Sequence, residues 1–330
     1  MKANIIHALF LMAGKEPSGG ERVMFKSSKS SPGYEEYYPA FTIAESPREL
    51  IFPGPMGQVK AESTVKLFRG ESMIVEICAP FNIDSAQNAI ELKNSLHQQA
   101  RLIAEPYGPL DLSEEYTFFT IEGVEDQEEF LAGHRLMVAQ LVKDESAVLA
   151  QSEIDDALAG QLRYDVDDLA VVGWDGAVLM DKGGEFDDII ALVELANIQL
   201  LSLRALDARL TAEVKRFRQM QGQRAPEIIF QSRTLRSIIH VRTSGLFELE
   251  AIDNSIRLYG DWYAARIYAL AERKLYLTKW RGAVEEKLAM LEKIFAMASH
   301  RQGEMYNITL ETLIVLLIVV EIVLIVMGKI

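Results

Sequence analysis

The final stretch, YNITLETLIVLLIVVEIVLIVMGKI, restricts the possible structures of this chain more than any other feature. From Ile308 to Met327 there are 20 residues, 16 of them Ile, Leu, Val or Met. At about 1.5 Å per residue, a helix of that length matches a hydrocarbon core of roughly 30 Å. Residues 307–330 are therefore expected to form a single C-terminal transmembrane anchor, with the preceding chain on the side of synthesis. Lys293 and Arg301 before the span and Lys329 after it favour a cytoplasmic body.

Two acids interrupt the run. Glu311 falls in the first turn of the span, within reach of headgroups or water, where a helix N-terminus tolerates negative charge. Glu321 falls about 5 Å along the helix from the midpoint, so it is expected to carry a proton or to pair with a neighbouring helix. About fifteen branched apolar residues at roughly −0.3 to −0.6 kcal/mol each outweigh one central acid at about +3 kcal/mol. Insertion wins, and Glu311 and Glu321 become candidate contacts between copies of the chain.

The formal charge of −14 is unevenly spread. Residues 1–190 hold 15 Lys/Arg against 33 Asp/Glu, whereas residues 191–330 hold 19 against 15. The split argues for an acidic body and a mildly basic helical half. The sole cysteine, Cys78, excludes an internal disulfide, and SMIVEICAPF reads as a strand with a core thiol. The opening MKANIIHALFLMAGK is too short and too polar at His7 for an export signal and reads as a first strand.

Short apolar runs (IIHALFLM, ERVMF, TVKLFRG, SMIVEICAPF) separated by Gly/Pro/Ser connectors predict strands over the first 80 residues. Helical spacing begins at Asp84, taken as the N-cap, and continues to Glu105. EEYTFFTIEG returns to strand, residues 126–160 read as one or two helices, and DDLAVVGWDGAVLMDKGG as two strands. The expected fold is α+β, with a mixed sheet-and-helix domain over 1–184 and its helices on one face of the sheet. A helical region over 185–306 follows. Ile189, Ala196, Leu203, Leu210 and Phe217 repeat every seven residues, as do Ile256, Tyr263, Leu270, Leu277, Val284, Leu291 and Ala298. Two such seams predict a long antiparallel coiled-coil hairpin, with Leu203, Leu210, Leu270, Leu277 and Leu291 on its seam.

No residue set announces chemistry. The five histidines are scattered without i,i+4 pairing or a nearby cysteine, so no metal is expected. No phosphate-wrapping glycine motif and no nucleophile elbow occurs, so neither a cofactor nor a small-molecule ligand is expected, and the chain is read as no enzyme. Asp165, Asp167, Asp168, Asp175 and Asp181 crowd one region and are read as turn and solubility residues before an ion clamp. Between Arg204 and Arg242 nine bases face three acids, with Arg216, Arg218 and Arg224 at the centre. A solvated helix face explains this patch, and docking of nucleic acid or of an acidic partner is the alternative.

The acid-bearing tail with Leu310, Glu311 and Glu321 resembles the end of proteins of the Required for Meiotic Nuclear Division family, domain of unknown function 155. DNSIRLYGDWYAARIYALAERKLYLTKW, with Trp262 and Tyr268, resembles the family's segment entering its last long helix. DDLAVVGWDGAVLMDKGGEFDDIIALVELANIQLLSLRALDARL resembles its acidic strand-to-helix join. The resemblance implies a membrane-anchored, self-associating protein, and the lack of an Arg-rich, acid-poor transit sequence, a departure from mitochondrial members, points to a bacterial relative at the inner membrane. It also brings a link to organelle translation, which mitochondrial members have. The reading that follows is a membrane-anchored homo-oligomeric scaffold whose partners are its own copies and a lipid bilayer. The alternatives are an enzyme or ligand-binding protein acting near the membrane, and a ribosome or RNA tether.

Overall fold

Alternating side chains on a pleated strand reach opposite faces, and this period of two organises the first part of the molecule. The structure is a computed structural model and describes residues 1–13, 21–23, 41–68, 72–221, 239–241, 243–247, 250, 262–326 and 328. Two units divide the chain, Met1–Ala205 with Ile252–Trp280, and Leu206–Ala251 with Arg281–Ile330.

The first unit is built on one sheet of the described strands β1 (Lys2–Met12), β2 (Glu21–Val23), β3 (Phe41–Gly54), β4 (Gly57–Phe68), β5 (Ser72–Pro80), β6 (Ser113–Glu122), β7 (Gln161–Leu162), β8 (Asp168–Val172) and β9 (Gly176–Asp181). Their order is β2-β3-β4-β5-β1-β6-β9-β8-β7. β1 is interior, antiparallel to β5 on one side and to β6 on the other. β6 and β9 pair in parallel, which requires a crossover. Three helices supply it: α2 (Gln127–Gly133), α3 (Arg135–Lys143) and α4 (Gln151–Leu158). Sequence reading expects one or two there. Asp144, left-handed at φ 51, ends α3 and separates it from α4.

Ile5, Leu9 and Leu11 of β1 form one core cluster with α1 (Ala86–Ala104), α2, α3 and α4. Ala8 and Phe10 point the other way and are equally buried, so the strand is covered on both faces. On that second face, side chains of β4, β6 and β8 reach α5 (Asp187–Gln221) and α6 (Trp262–Lys274). The expectation of helices on one face only is thus corrected. The helix after β5 starts where expected, but its cap is Ser85, whose hydroxyl accepts from the Asn88 amide at 3.3 Å, rather than Asp84.

The expected long helical hairpin is not borne out among the described residues. Residues 189–201 of α5 are buried without interruption, the pattern of a core helix covered on every side, not of a narrow seam. Tyr276, with φ 52, breaks the second repeat and separates α6 from α7 (Leu277–Val326). Leu203, Leu270 and Leu277 are buried in the first unit, and Leu210 and Leu291 in the second.

In the second unit the remainder of α5 and α7 from Arg281 bury Leu206, Leu210, Val284, Leu288 and Leu291. Lys287 Nζ bonds Asp207 Oδ1 at 2.5 Å and Thr211 Oγ1 at 2.6 Å. In the first unit the Arg204 guanidinium lies 5.7 Å from the Trp280 ring. Among the described residues, neither unit by itself shows the antiparallel pairing expected of the two seams.

Cys78 lies on β5 between Ile6 of β1 and Glu62 of β4. Burial, and then the Glu76 and Glu62 carboxylates, push its thiol up to about 11. At pH 8 the folded protein is expected to react with a disulfide reagent at least ~100-fold more slowly than the denatured chain, since only the thiolate attacks. Equal rates before and after denaturation would contradict this placement.

Candidate functional site

The register that buries β1 carries a polar residue into its core face. His7 follows Ile5 and precedes Leu9 on the side that packs against α1, and it is fully buried. A buried polar ring needs partners, and three elements supply them. In the β1–β6 ladder His7 lies opposite Thr117, and His7 Nδ1 stands 3.0 Å from Thr117 Oγ1. Its Nε2 stands 3.2 Å from Nδ1 of His97 on α1. The same His97 Nδ1 is 2.8 Å from Oε2 of Glu115 on β6, and that oxygen is 3.8 Å from His7 Nε2.

Lys93, one helical turn before His97, shares its face of α1. Its ammonium bonds Asp144 at 2.6 Å and approaches Glu115 Oε2 at 3.7 Å. Asp175 stands within electrostatic reach of Lys93, Asp144 and Glu115. Burial holds the His7 imidazole down at about 3, with His97 and Lys93 adding to the effect against Glu115, so at neutral pH it is uncharged with one free lone pair. The hydrogen bond from His97, with Lys93 nearby, holds Glu115 down at about 2 against its partial burial. Glu115 is thus ionised under any ordinary condition. His7 and the inner edge of His97 are walled by the sheet and helix, whereas the side chains of His97 and Glu115 are 26% and 46% exposed. The cluster opens to solvent on one side.

Sequence reading treats the histidines as scattered and expects no metal; the fold brings His7 and His97 together across 90 residues. The one local signal is a histidine at a core position of an otherwise apolar strand face. Its partners are set by sheet pairing and helix docking, which periodicity does not encode.

A second buried polar group occupies the opposite face of the sheet. Lys66 Nζ bonds Glu76 at 2.5 Å and both carboxylate oxygens of Glu194 at 3.1 and 3.2 Å. Burial, and then the Glu76 charge, push Glu194 well above the usual carboxylate range. Burial acts on Glu76 too, but Lys66 and the hydrogen bond from Glu194 outweigh it and hold that carboxyl low. The consistent state is a Lys66 cation, a Glu76 anion and a protonated Glu194, which is neutral as a set.

The acidic region over 165–181 is spent on turns. Asp168 Oδ1 accepts from the amides of Tyr164 and Asp165 at 2.8 and 3.0 Å, and Oδ2 from the Tyr263 hydroxyl at 3.0 Å. Asp165 accepts from the Asp167 amide, and Asp181 from the amides of Gly183 and Glu185. Asp175 belongs with the histidine cluster instead. Of the expected basic patch, Arg204 is bound to Glu114, and Arg216 is exposed beside Glu213. The Arg218 side chain and Arg224 lie outside the described residues.

The helix α7 ends in the apolar stretch that opened the sequence. Asn307–Ile325 is long and apolar enough to cross a membrane, and none of it is buried. Glu311 and Glu321 lie on that exposed surface. Asp187–Arg216 of α5 passes the same length and composition test but is 83% buried within the protein, as a core helix is.

A family model described as "Uncharacterized protein MJ0711, N-terminal domain" matches residues 21–187. The curated "Uncharacterized protein MJ0711" of Methanocaldococcus jannaschii is 26% identical over 311 residues, covering 94% of this chain and 93% of that protein. No solved structure matches the chain.

Proposed function

The chain belongs to the MJ0711 N-terminal domain family, and from its own residues we propose that it is a membrane-anchored, self-associating scaffold. The observation that carries this reading is the apolar stretch Asn307–Ile325, none of which is buried in the protein. In water such a surface invites aggregation; in a bilayer a helix satisfies every backbone group internally and the apolar side chains meet lipid. The folded body then stands on one side of the membrane, and Lys293 and Arg301 before the span against Lys329 after it favour the cytoplasmic side.

Self-association is supported by Glu321, an acid inside the span that a neighbouring copy would satisfy. Cell fractionation tests the proposal. The full chain is expected in the membrane pellet, resistant to high salt and alkaline carbonate and released by detergent. Release by salt or carbonate alone would overturn the spanning assignment.

A further inference from the structure

We infer that His7 Nε2, His97 Nδ1 and Glu115 Oε2 are the three protein ligands of a divalent transition-metal site of the kind that takes Zn²⁺, with a fourth position open to solvent. Among the described residues, these three offer ligand atoms that all lie within 4.8 Å of one another.

The spacing fits the ion. Ligands about 2.0–2.1 Å from a tetrahedral zinc stand about 3.3 Å apart. The three separations here are 3.2, 2.8 and 3.8 Å, scattered about that value, so small side-chain shifts suffice to seat an ion between the atoms.

Counting protons gives an independent reason. An imidazole nitrogen has a single in-plane direction, carrying either a hydrogen or a lone pair. In the tautomer whose Nδ1 hydrogen points at Thr117 Oγ1, 3.0 Å away, His7 Nε2 offers a lone pair toward His97 Nδ1. Glu115 offers a second, anionic lone pair to that same nitrogen. In that tautomer, and without an ion, one hydrogen on His97 Nδ1 serves two acceptors. A dication placed among the three atoms accepts from all of them.

The surroundings are those of a supported ligand set. Thr117 holds the His7 ring from outside through the 3.0 Å contact at Nδ1, the kind of second contact that metal-bound imidazoles generally make. Three carboxylates (Glu115, Asp144, Asp175) stand against one ammonium (Lys93), and Lys93 makes its shorter bond to Asp144. An ion can therefore take Glu115 while Lys93 keeps Asp144. The ligands sit on β1, α1 and β6, three packed elements that hold them rigidly. Two nitrogens and one carboxylate suit zinc and its neighbours rather than calcium or magnesium. The exposed edges of His97 and Glu115 leave room for a water on the fourth position. The inference is independent of whether α7 crosses a membrane.

The test uses the full-length protein in detergent, stripped with a chelator and dialysed against ZnCl₂ or CoCl₂. About one zinc per chain is expected, with the visible d–d absorption of tetrahedral cobalt in the cobalt form. X-ray absorption of the zinc form is expected to show two imidazoles and one carboxylate. Glu115→Gln and His97→Ala change half-exposed or partly exposed side chains, so they should keep the far-UV circular dichroism of the parent while weakening zinc at least about tenfold. Substoichiometric binding would overturn the site, as would zinc affinity undiminished in both variants. The chain Thr117–His7–His97–Glu115 would then be a hydrogen-bonded relay and nothing more.

Discussion

Lys66→Met is expected to destabilise the protein by roughly 3–5 kcal/mol, because it strips the only cation from a buried set and leaves two carboxyl groups facing each other. The Lys66 and Glu76 side chains are 11% and 13% exposed, and Glu194 is fully buried. With lysine present, the set reaches neutrality using one proton, held on Glu194. Without it, neutrality requires protonating Glu76 as well, in a place where water cannot compensate. Chemical denaturation of the detergent-purified chain should show the loss as a lower midpoint. The double variant Lys66→Met with Glu76→Gln should recover a large part of it, since a neutral amide can accept from protonated Glu194. A single variant within about 1 kcal/mol of the parent, the range of an exposed ion pair, would mean that the three groups reach solvent.

The same triad explains what sequence reading can and cannot see. Strand alternation and turn residues identify β1, β5, β6, β8 and β9, because each carries a period that its own residues define. β3 is hidden by Pro47 and by register shifts between Ile43 and Arg48, which break the alternation that would mark it. α5 misleads for a different reason. Glu194, Asn197 and Gln199 look like a solvated face between apolar seams, yet all three are buried. Glu194 meets Lys66, Asn197 donates to the Val193 carbonyl, and Gln199 accepts from Tyr268. Most of those partners come from elements more than sixty residues away, so no local pattern distinguishes a satisfied core residue from an exposed one. His7, His97 and Glu115 escape notice on the same ground. What each residue type contributes is visible, but which residues meet is decided by β1–β6 register and by the docking of α1 on β1.

Deleting residues 307–330 is expected to move the protein almost entirely from the membrane pellet to the soluble fraction, with its sheet unit intact. Nothing in Asn307–Ile325 is buried within the chain, so its removal exposes no core and leaves the contacts of Met1–Ala205 and Ile252–Trp280 in place. The size of the change follows from transfer energies. About fifteen Leu, Ile and Val residues at roughly −0.3 to −0.6 kcal/mol each exceed the cost of about +3 kcal/mol for one central acid, which leaves a favourable insertion of several kcal/mol to be lost. The surplus is reduced by Glu321, and a partner that accepts or shares its proton would restore part of it. The truncation therefore reads out two things at once. Sedimentation after fractionation reports the span, and the mass of the purified particle with and without residues 307–330 reports whether the span contributes to self-association. A truncated chain that still pellets after a high-salt wash would show that another surface binds the membrane. A full chain that is monodisperse and monomeric in detergent would leave Glu321 to be satisfied by lipid headgroups and water reaching into the bilayer, and the scaffold proposal would lose the contact on which its assembly depends.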